Sequence, residues 1–175
     1  MSGKFKIREF RPGDAGGVVK LYEDAFPDEG LVPLVGELLN LGPGAISLVV
    51  SHEDHISGHI CFTFCGVENR QDKVALLAPL AVTPALQSQG VGSALIQEGF
   101  KYLKKAKFND VFVLGDPGYY NRFGFQAGYN VTPPYPLPAE WRDAWQSVRL
   151  RHADAVLAGR LTVPEARQQK ALWGA

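Results

Sequence analysis

Apolar and polar positions along the chain switch between a period of two and a period near 3.6, and the switches mark out the elements. Residues 5–10 alternate as a first strand does. Pro12-Gly13-Asp14 breaks that run, and Asp14 stands where a helix N-cap belongs. Over residues 15–26, Val18, Val19, Leu21, Tyr22, Ala25 and Phe26 make one helical stripe. Pro27-Asp28-Glu29-Gly30 stops it, a shorter apolar helix follows over 31–41, and Gly42-Pro43-Gly44 is a loop. Residues 45–51 and 56–67 read as two strands joined through His52-Glu53-Asp54-His55, which is a hairpin. After a polar turn over 68–73, residues 74–82 form a nearly continuous apolar run. Such a run suits a strand buried on both faces, provided Pro79 sits at a bulge or an unpaired position.

Thr83-Pro84-Ala85-Leu86 ends that strand, and residues 92–105 are a helix with Leu95, Phe100, Tyr102 and Leu103 apolar. Its Lys101, Lys104 and Lys105 gather towards the end, where the helix dipole favours cations. Residues 110–114 are the next buried strand, 115–118 a turn, 119–123 a short helix stopped at Gly124, and 125–131 a strand. Pro133, Pro134, Pro136 and Pro138 stiffen a loop, 144–151 is a last strand, and 164–173 a C-terminal helix. A helix between two buried strands implies a parallel crossover, and the hairpin implies antiparallel neighbours. The fold class is therefore α+β with one mixed sheet. With no repeat, low-complexity tract or linker in the sequence, a single domain is expected over residues 1–175.

Composition narrows the function classes. Hydrophobic residues are 46% and charged residues 21%, as in an ordinary globular chain. Lys+Arg and Asp+Glu are both 18, so the net charge is zero, which argues against a nucleic-acid partner bound by phosphate neutralisation. The two cysteines, Cys61 and Cys65, lie about 13 Å apart along one strand, too far for a disulfide between them. At even spacing they share a face and pack as small hydrophobes. The N-terminus has no apolar core of a signal peptide, and no apolar run reaches a membrane span. The expected location is cytoplasmic, with no membrane partner. The irregular set His52, His55 and His59 is read as turn and strand residues, and no metal site is expected.

One stretch carries chemistry. Gln87-Ser88-Gln89-Gly90-Val91-Gly92 lies between the longest apolar strand and the cleanest helix. The first amides of a helix lack internal partners, its dipole makes that end positive, and glycines let an anion approach the backbone. A pyrophosphate fits such a place. A nucleotide P-loop would need Gly-Lys-Ser/Thr, but Gly92 is followed by Ser93. A dinucleotide fingerprint would need a third glycine where Leu95 stands, although Asp116 does end the next strand as that fold's ribose acid would.

The stretch resembles the Arg/Gln-x-x-Gly-x-Gly/Ala signature of the GNAT superfamily of N-acetyltransferases. Tyr120-Asn121-Arg122-Phe123-Gly124-Phe125 resembles that family's Tyr-x-Lys/Arg-x-Gly-Phe segment. Ile7-Arg8-Glu9-Phe10-Arg11-Pro12-Gly13-Asp14 resembles its opening, and Gly58-His59-Ile60 its second hairpin strand. The likeness runs from Ile7 to about Val131, leaving 131–175 as a less familiar C-terminal part.

The resemblance implies a GNAT-like acyl-CoA N-acyltransferase fold, a mixed and mostly antiparallel central sheet flanked by helices. It implies acetyl-CoA as co-substrate and transfer of its acetyl group directly to an amine, on a small molecule or a peptide. The amides of Gln89, Gly90, Val91, Gly92, Ser93 and Ala94 would hold the pyrophosphate, within a site running from Gln87 and Ser88. Leu80, Ala81 and Val82 would pair with the pantetheine arm as an added strand. Tyr120 matches the general acid that protonates the departing thiolate. A phenol near pKa 10 is a reasonable donor to a thiolate near 8–9. Relatives are commonly dimers, so a homodimer is among the expectations.

The chain also departs from the pattern. Many relatives have Asn where Gly115-Asp116-Pro117 stands, and no acid lies in residues 77–82, where some place a general base. The base is then a water chain or an acid such as Glu29 or Glu68, both of which also read as solvated surface. These departures keep a non-catalytic acyl-CoA-binding module as the alternative, with a dinucleotide oxidoreductase behind it. Tyr135, Trp141, Trp145 and the prolines between them either line an acceptor pocket or cover one end of the core. Arg167, Gln168, Gln169 and Lys170 read as a solvated helix face.

Overall fold

The computed structural model describes residues 5–128, 130–151 and 156–174. They fall into two compact units, Met1–Thr63 with Ala78–Tyr102, and Phe64–Leu77 with Leu103–Ala175. The units interleave along the chain, so neither is a consecutive segment.

The first unit opens with strand β1 (Lys6–Glu9), helices α1 (Ala15–Ala25) and α2 (Val32–Leu39), and the hairpin β2 (Ala45–His52) and β3 (His55–Val67). Strand β4 (Val74–Val82) and helix α3 (Val91–Lys105) follow, with Phe64–Val67 of β3, Val74–Leu77 of β4 and Leu103–Lys105 of α3 belonging to the second unit. All these elements were legible in the apolar pattern to within a residue or two. β1, β2 and β3 pair antiparallel in sequence, from Lys6↔Ser51 to His52↔His55, and β4 is next in order. β4 continues through Pro79, whose bond to Ala78 is cis. The core is the stripe expected of α1, with Val18, Leu21 and Tyr22 packed against Val35, Val49 and Ala81. Leu95 and Ile96 bury the inner face of α3, and Phe100 meets Phe62 at 6.4 Å.

Two polar groups in this unit behave differently from the sequence reading. Asp14 precedes α1 but makes no capping bond to it. Its carboxylate instead accepts both guanidinium nitrogens of Arg8, at 2.8 and 2.9 Å, and the Arg11 amide at 2.7 Å. Those bonds, Arg8's first, hold the Asp14 carboxyl below the usual carboxylate range. His59, expected merely to follow the hairpin turn, is fully buried. Its Nδ1 shares a hydrogen bond with the Tyr22 hydroxyl at 2.8 Å, and its Nε2 lies 3.3 Å from Ser47 Oγ. His52 faces the Phe5 ring at 5.5 Å. Among the described residues no group of three His, Cys, Asp or Glu is arranged to hold a metal ion.

Burial pushes His59 down to about 3, so the ring folds neutral. An unfolded imidazole titrates near 6.5, so below that pH the unfolded chain binds the extra proton. The stabilisation is fully present above pH 6.5 and falls by about 1.4 kcal/mol per pH unit towards 3. Denaturant unfolding at pH 7 and pH 5 checks this. The loss between those two values is expected to be about 2 kcal/mol larger in the wild type than in His59→Gln. Equal losses would contradict it.

The second unit contains β5 (Asp110–Leu114), the four-residue helix α4 (Pro117–Tyr120), and strands β6 (Gln126–Ala127), β7 (Val131–Thr132), β8 (Trp145–Arg149) and β9 (Gly159–Thr162). β4 and β5 are parallel from Val74↔Asp110 to Leu76↔Phe112, the crossover expected around α3. β8 pairs antiparallel with both β5 and β6, while β9 pairs antiparallel with β3 and parallel with β7. The fold is thus the α+β, mixed and mostly antiparallel arrangement expected. Trp145 centres the core here, stacked on Phe112 at 5.4 Å, edge-on to Trp173 at 5.7 Å, and donating its indole N–H to the Val131 carbonyl at 2.8 Å.

Three expectations are corrected here. The strand over 125–131 is two short pieces, because β6 joins β8 while Val131 and Thr132 turn to β9; residue 129 lies outside the described residues. The helix over 164–173 is two 3-10 turns, Glu165–Arg167 and Lys170–Trp173. Side chains claim the carbonyls that an α-helix would use. The Trp173 indole donates to Arg167 O at 3.0 Å, and the Tyr135 hydroxyl to Gln168 O at 3.1 Å. Arg167, read as solvated, is buried. Cys61 is buried and Cys65 half-buried, both as free thiols. Among the described residues no helix is long and apolar enough to cross a membrane.

Candidate acyl-CoA site

The glycine loop belongs wholly to the first unit. β4 ends where the Thr83 amide donates to Ser57 O at 2.8 Å, and a 3-10 turn over Pro84–Leu86 leads out of the strand. Two glutamine side chains tie the loop to this turn: Gln87 Nε2 donates to Val82 O at 3.0 Å, and Gln89 Nε2 to Ala85 O at 3.2 Å. Ser88 and Gly90 both take left-handed backbone, with φ of 63° and 86°. The loop thereby reverses into α3, whose first internal bond runs from the Ala94 amide to Gly90 O at 3.0 Å. The amides of Val91, Gly92 and Ser93 precede that bond, so the helix itself offers them no partner. Residues 87–90 are exposed, while the Val91 side chain is buried and anchors the turn. The result is a set of amides without an intrahelical partner at the positive end of a 15-residue helix, next to an exposed loop.

Beside this loop lies a cavity of about 620 Å³, walled by Gln89, Gly90, Ser93 and Ala94 together with Phe5 and Ile7 of β1. The expectation for Ala94 needs correcting. Its amide is already bonded to Gly90, and it enters the site as part of the wall. Gln97, Glu98 and Lys101 extend that wall along α3 and were missed from the sequence. Their spacing could have found them, since Ser93, Gln97 and Lys101 stand at i, i+4 and i+8 on one helical face. In β4, Ala81 points into the core, and Leu80 and Val82 are half-buried. The registered pairing of β4 with β5 stops at Leu76↔Phe112.

Tyr120 belongs to the second unit. Asp116 caps α4, its carboxylate accepting the Gly118 amide at 2.9 Å, and Pro117 fits the first helical position. The Tyr120 ring lies against Gly115, where an added Cβ would stand 2.6 Å from Cε2, so only glycine allows that approach. Tyr119 and Phe125 meet it edge-on at 5.0 and 5.6 Å. Gly124, with φ of 92°, ends the following turn and delivers the buried Phe125. Burial first, then Tyr119 and Asp116, pushes the Tyr120 phenol above its ordinary value. The hydroxyl keeps its proton throughout the physiological range.

The remaining candidates separate clearly. The Asp116 carboxylate serves its own helix, which removes the one residue favouring a dinucleotide site. Glu29 and Glu68 are exposed, and Glu68 pairs with Arg160 at 3.4 Å. Of the aromatic set near the prolines, Trp145 belongs to the core and Trp141 is exposed. Tyr135 and Trp145 with Pro133, Pro134, Pro136 and Pro138 line a cavity of about 440 Å³. The reading as a cover for the core therefore holds for Trp145, and the same segment lines a cavity.

The family model described as Acetyltransferase (GNAT) family matches residues 16–125, well over half of the chain. The Escherichia coli K12 protein named uncharacterized N-acetyltransferase YjhQ is 34% identical over 166 residues, covering 91% of this chain and 92% of that protein. YhbS, also named an uncharacterized N-acetyltransferase, is 31% identical over 157 residues, covering 87% and 90%. The crystal structure of Escherichia coli YhbS in complex with CoA superposes with a TM-score of 0.84 at 27% identity, over 95% of this chain and 93% of that one. A Brucella melitensis GNAT acetyltransferase in complex with acetyl-CoA gives 0.75 at 28% identity, over 93% and 97%.

Proposed function

Since the chain belongs to the GNAT family of N-acetyltransferases, we propose that it binds acetyl-CoA at the Gln87–Gly92 loop and transfers the acetyl group directly to an amine. The observation that carries this is the loop itself. Left-handed backbone at Ser88 and Gly90 leads the exposed loop into α3, where the amides of Val91, Gly92 and Ser93 precede the first internal bond at the positive end of the helix. That arrangement suits a pyrophosphate, and two related structures hold CoA or acetyl-CoA. The wall continuing along Gln97, Glu98 and Lys101 gives the nucleotide end of the cofactor a surface.

In this reading the chain acts as one domain over residues 1–175. The pantetheine arm runs along Leu80, Ala81 and Val82, and strand amides polarise the thioester carbonyl. Gln87 already occupies the Val82 carbonyl, so the arm takes the other backbone groups. The amine nitrogen attacks the carbonyl carbon and the C–S bond breaks. Tyr120 gives its proton to the departing sulfur, and the new amide loses its extra proton to water. Tyr120 is held neutral by its surroundings, so it enters each turnover as a donor. The acceptor is a small molecule or a peptide carrying a free amine. A cytoplasmic setting fits the free thiols of Cys61 and Cys65.

Initial velocities measured while both acetyl-CoA and an active amine are varied test direct transfer. Intersecting double-reciprocal lines are expected, because both substrates must be bound at once. Parallel lines with a trapped acetyl-enzyme would overturn it.

A further inference from the structure

Gln146 is polar, yet it is only 1% exposed on β8. Its side-chain NH2 faces two backbone carbonyls, donating to Gly115 O at 3.1 Å and to Ala144 O at 3.3 Å. The two hydrogens of a primary amide match two acceptors. The Gln146 Oε1 is buried with no hydrogen-bond partner among the described residues. A buried acceptor left unpaired is costly, and an apolar side chain of similar length would avoid that cost. What the amide contributes at this position is therefore the pair of donations from Nε2.

Those donations fall where the segment carrying Tyr120 leaves the sheet. β5 ends at Leu114, and Gly115 follows it. The Gly115 amide donates to Ala144 O at 3.0 Å, the same carbonyl that receives the Gln146 side chain. Gly115 is thus held at its amide by Ala144 and at its carbonyl by Gln146. The chain returns to the sheet along β6. Gln146 is paired with Val113 of β5 on one side and with Ala127 of β6 on the other. Residues 115–125 therefore leave and rejoin the sheet on either side of this one residue. The Tyr120 ring lies directly on Gly115, so a shift of the Gly115 backbone moves the surface that the ring rests on.

We propose that Gln146 is the positioning residue of the general acid, fixing the Gly115 backbone through Nε2 and thereby the place of the Tyr120 hydroxyl. The proposal rests on the reading of Tyr120 as proton donor. Gln146 acts through Gly115, its own side chain being closed off from solvent. Misplacing a reacting group by about 1 Å can slow a reaction as much as ~100-fold, so a remote amide can matter to turnover.

The test is a double-mutant cycle in the full chain, with Gln146→Leu and Gln146→Met each made alone and together with Tyr120→Phe. Calorimetry gives the Kd for acetyl-CoA, thiol release with an active amine gives kcat, and unfolding curves follow the fold. Each single Gln146 variant is expected to lower kcat about tenfold, less than the roughly 100-fold expected of Tyr120→Phe, with the Kd for acetyl-CoA within about threefold of wild type. In the Tyr120→Phe background the same substitutions are expected to change kcat by less than about twofold, because no hydroxyl is left to place. A purely structural role would instead lower kcat by the same factor in both backgrounds. That result, wild-type kcat in both single variants, or loss of cooperative unfolding in both would overturn the proposal and leave the acid reading of Tyr120 standing. Wild-type kcat in Tyr120→Phe alone would overturn the acid reading, and this proposal with it.

Discussion

Replacing Tyr120 by phenylalanine is expected to lower kcat about 100-fold or more, while the Kd for acetyl-CoA moves by less than about threefold. The split follows from what the hydroxyl does. The ring is fixed by Gly115, Tyr119 and Phe125, contacts that phenylalanine keeps. What disappears is one O–H that, in the proposed mechanism, donates to sulfur only as the C–S bond breaks. A group used only in the transition state costs turnover and spares binding. The raised phenol adds a second expectation. Deprotonation of Tyr120 lies above its ordinary value near 10, so the wild-type rate shows no falling limb from this residue up to about pH 10. Stopped-time thiol release and calorimetric titration on the same preparations check both parts. A variant with wild-type kcat would leave Tyr120 as an aromatic support of its loop.

Gly90→Val is expected to weaken acetyl-CoA roughly 10- to 100-fold with little change in kcat at saturation. Crowding is not the cause, since nothing lies within 4 Å of where its Cβ would be. The cause is a φ of 86°, which a β-branched residue resists by about 1–3 kcal/mol. Relief requires rotating the peptide into Val91, and that peptide carries the first of the helix amides without an internal partner. Gly16 supplies the control. It too has open space around it but sits inside α1 with helical backbone, so Gly16→Ala should leave binding untouched and add up to about 1 kcal/mol of stability. Equilibrium dialysis of both variants, with unfolding curves, separates site from fold. Equal affinity of Gly90→Val and wild type would mean that the loop only starts a helix.

What could be read beforehand depended on how local the determinants were. The run over Val74–Val82 and the stripe of α3 are written in consecutive residues, and both elements appear within a residue of their expected limits. The glycine loop was legible for the same reason, because φ, helix polarity and strand end are all encoded within a few positions. β9 was not, since four residues with only Leu161 buried carry no period; it exists through its partners β3 and β7. The C-terminal segment reads as a helix until Tyr135 and Trp173 take its carbonyls, which no local pattern announces. Asp14 looked like a cap because caps are short-range, but Arg8 offers its carboxylate two charge-assisted bonds. In the site, Phe5 and Ile7 join Gln89 and Gly90 only through the fold.

The most direct test of the central claim is calorimetric titration of the purified chain with acetyl-CoA, with NAD and ATP as controls. The account predicts micromolar binding of acetyl-CoA at one site per chain and far weaker binding of NAD. A folded protein that binds no acetyl-CoA, or that binds NAD as tightly, would contradict it.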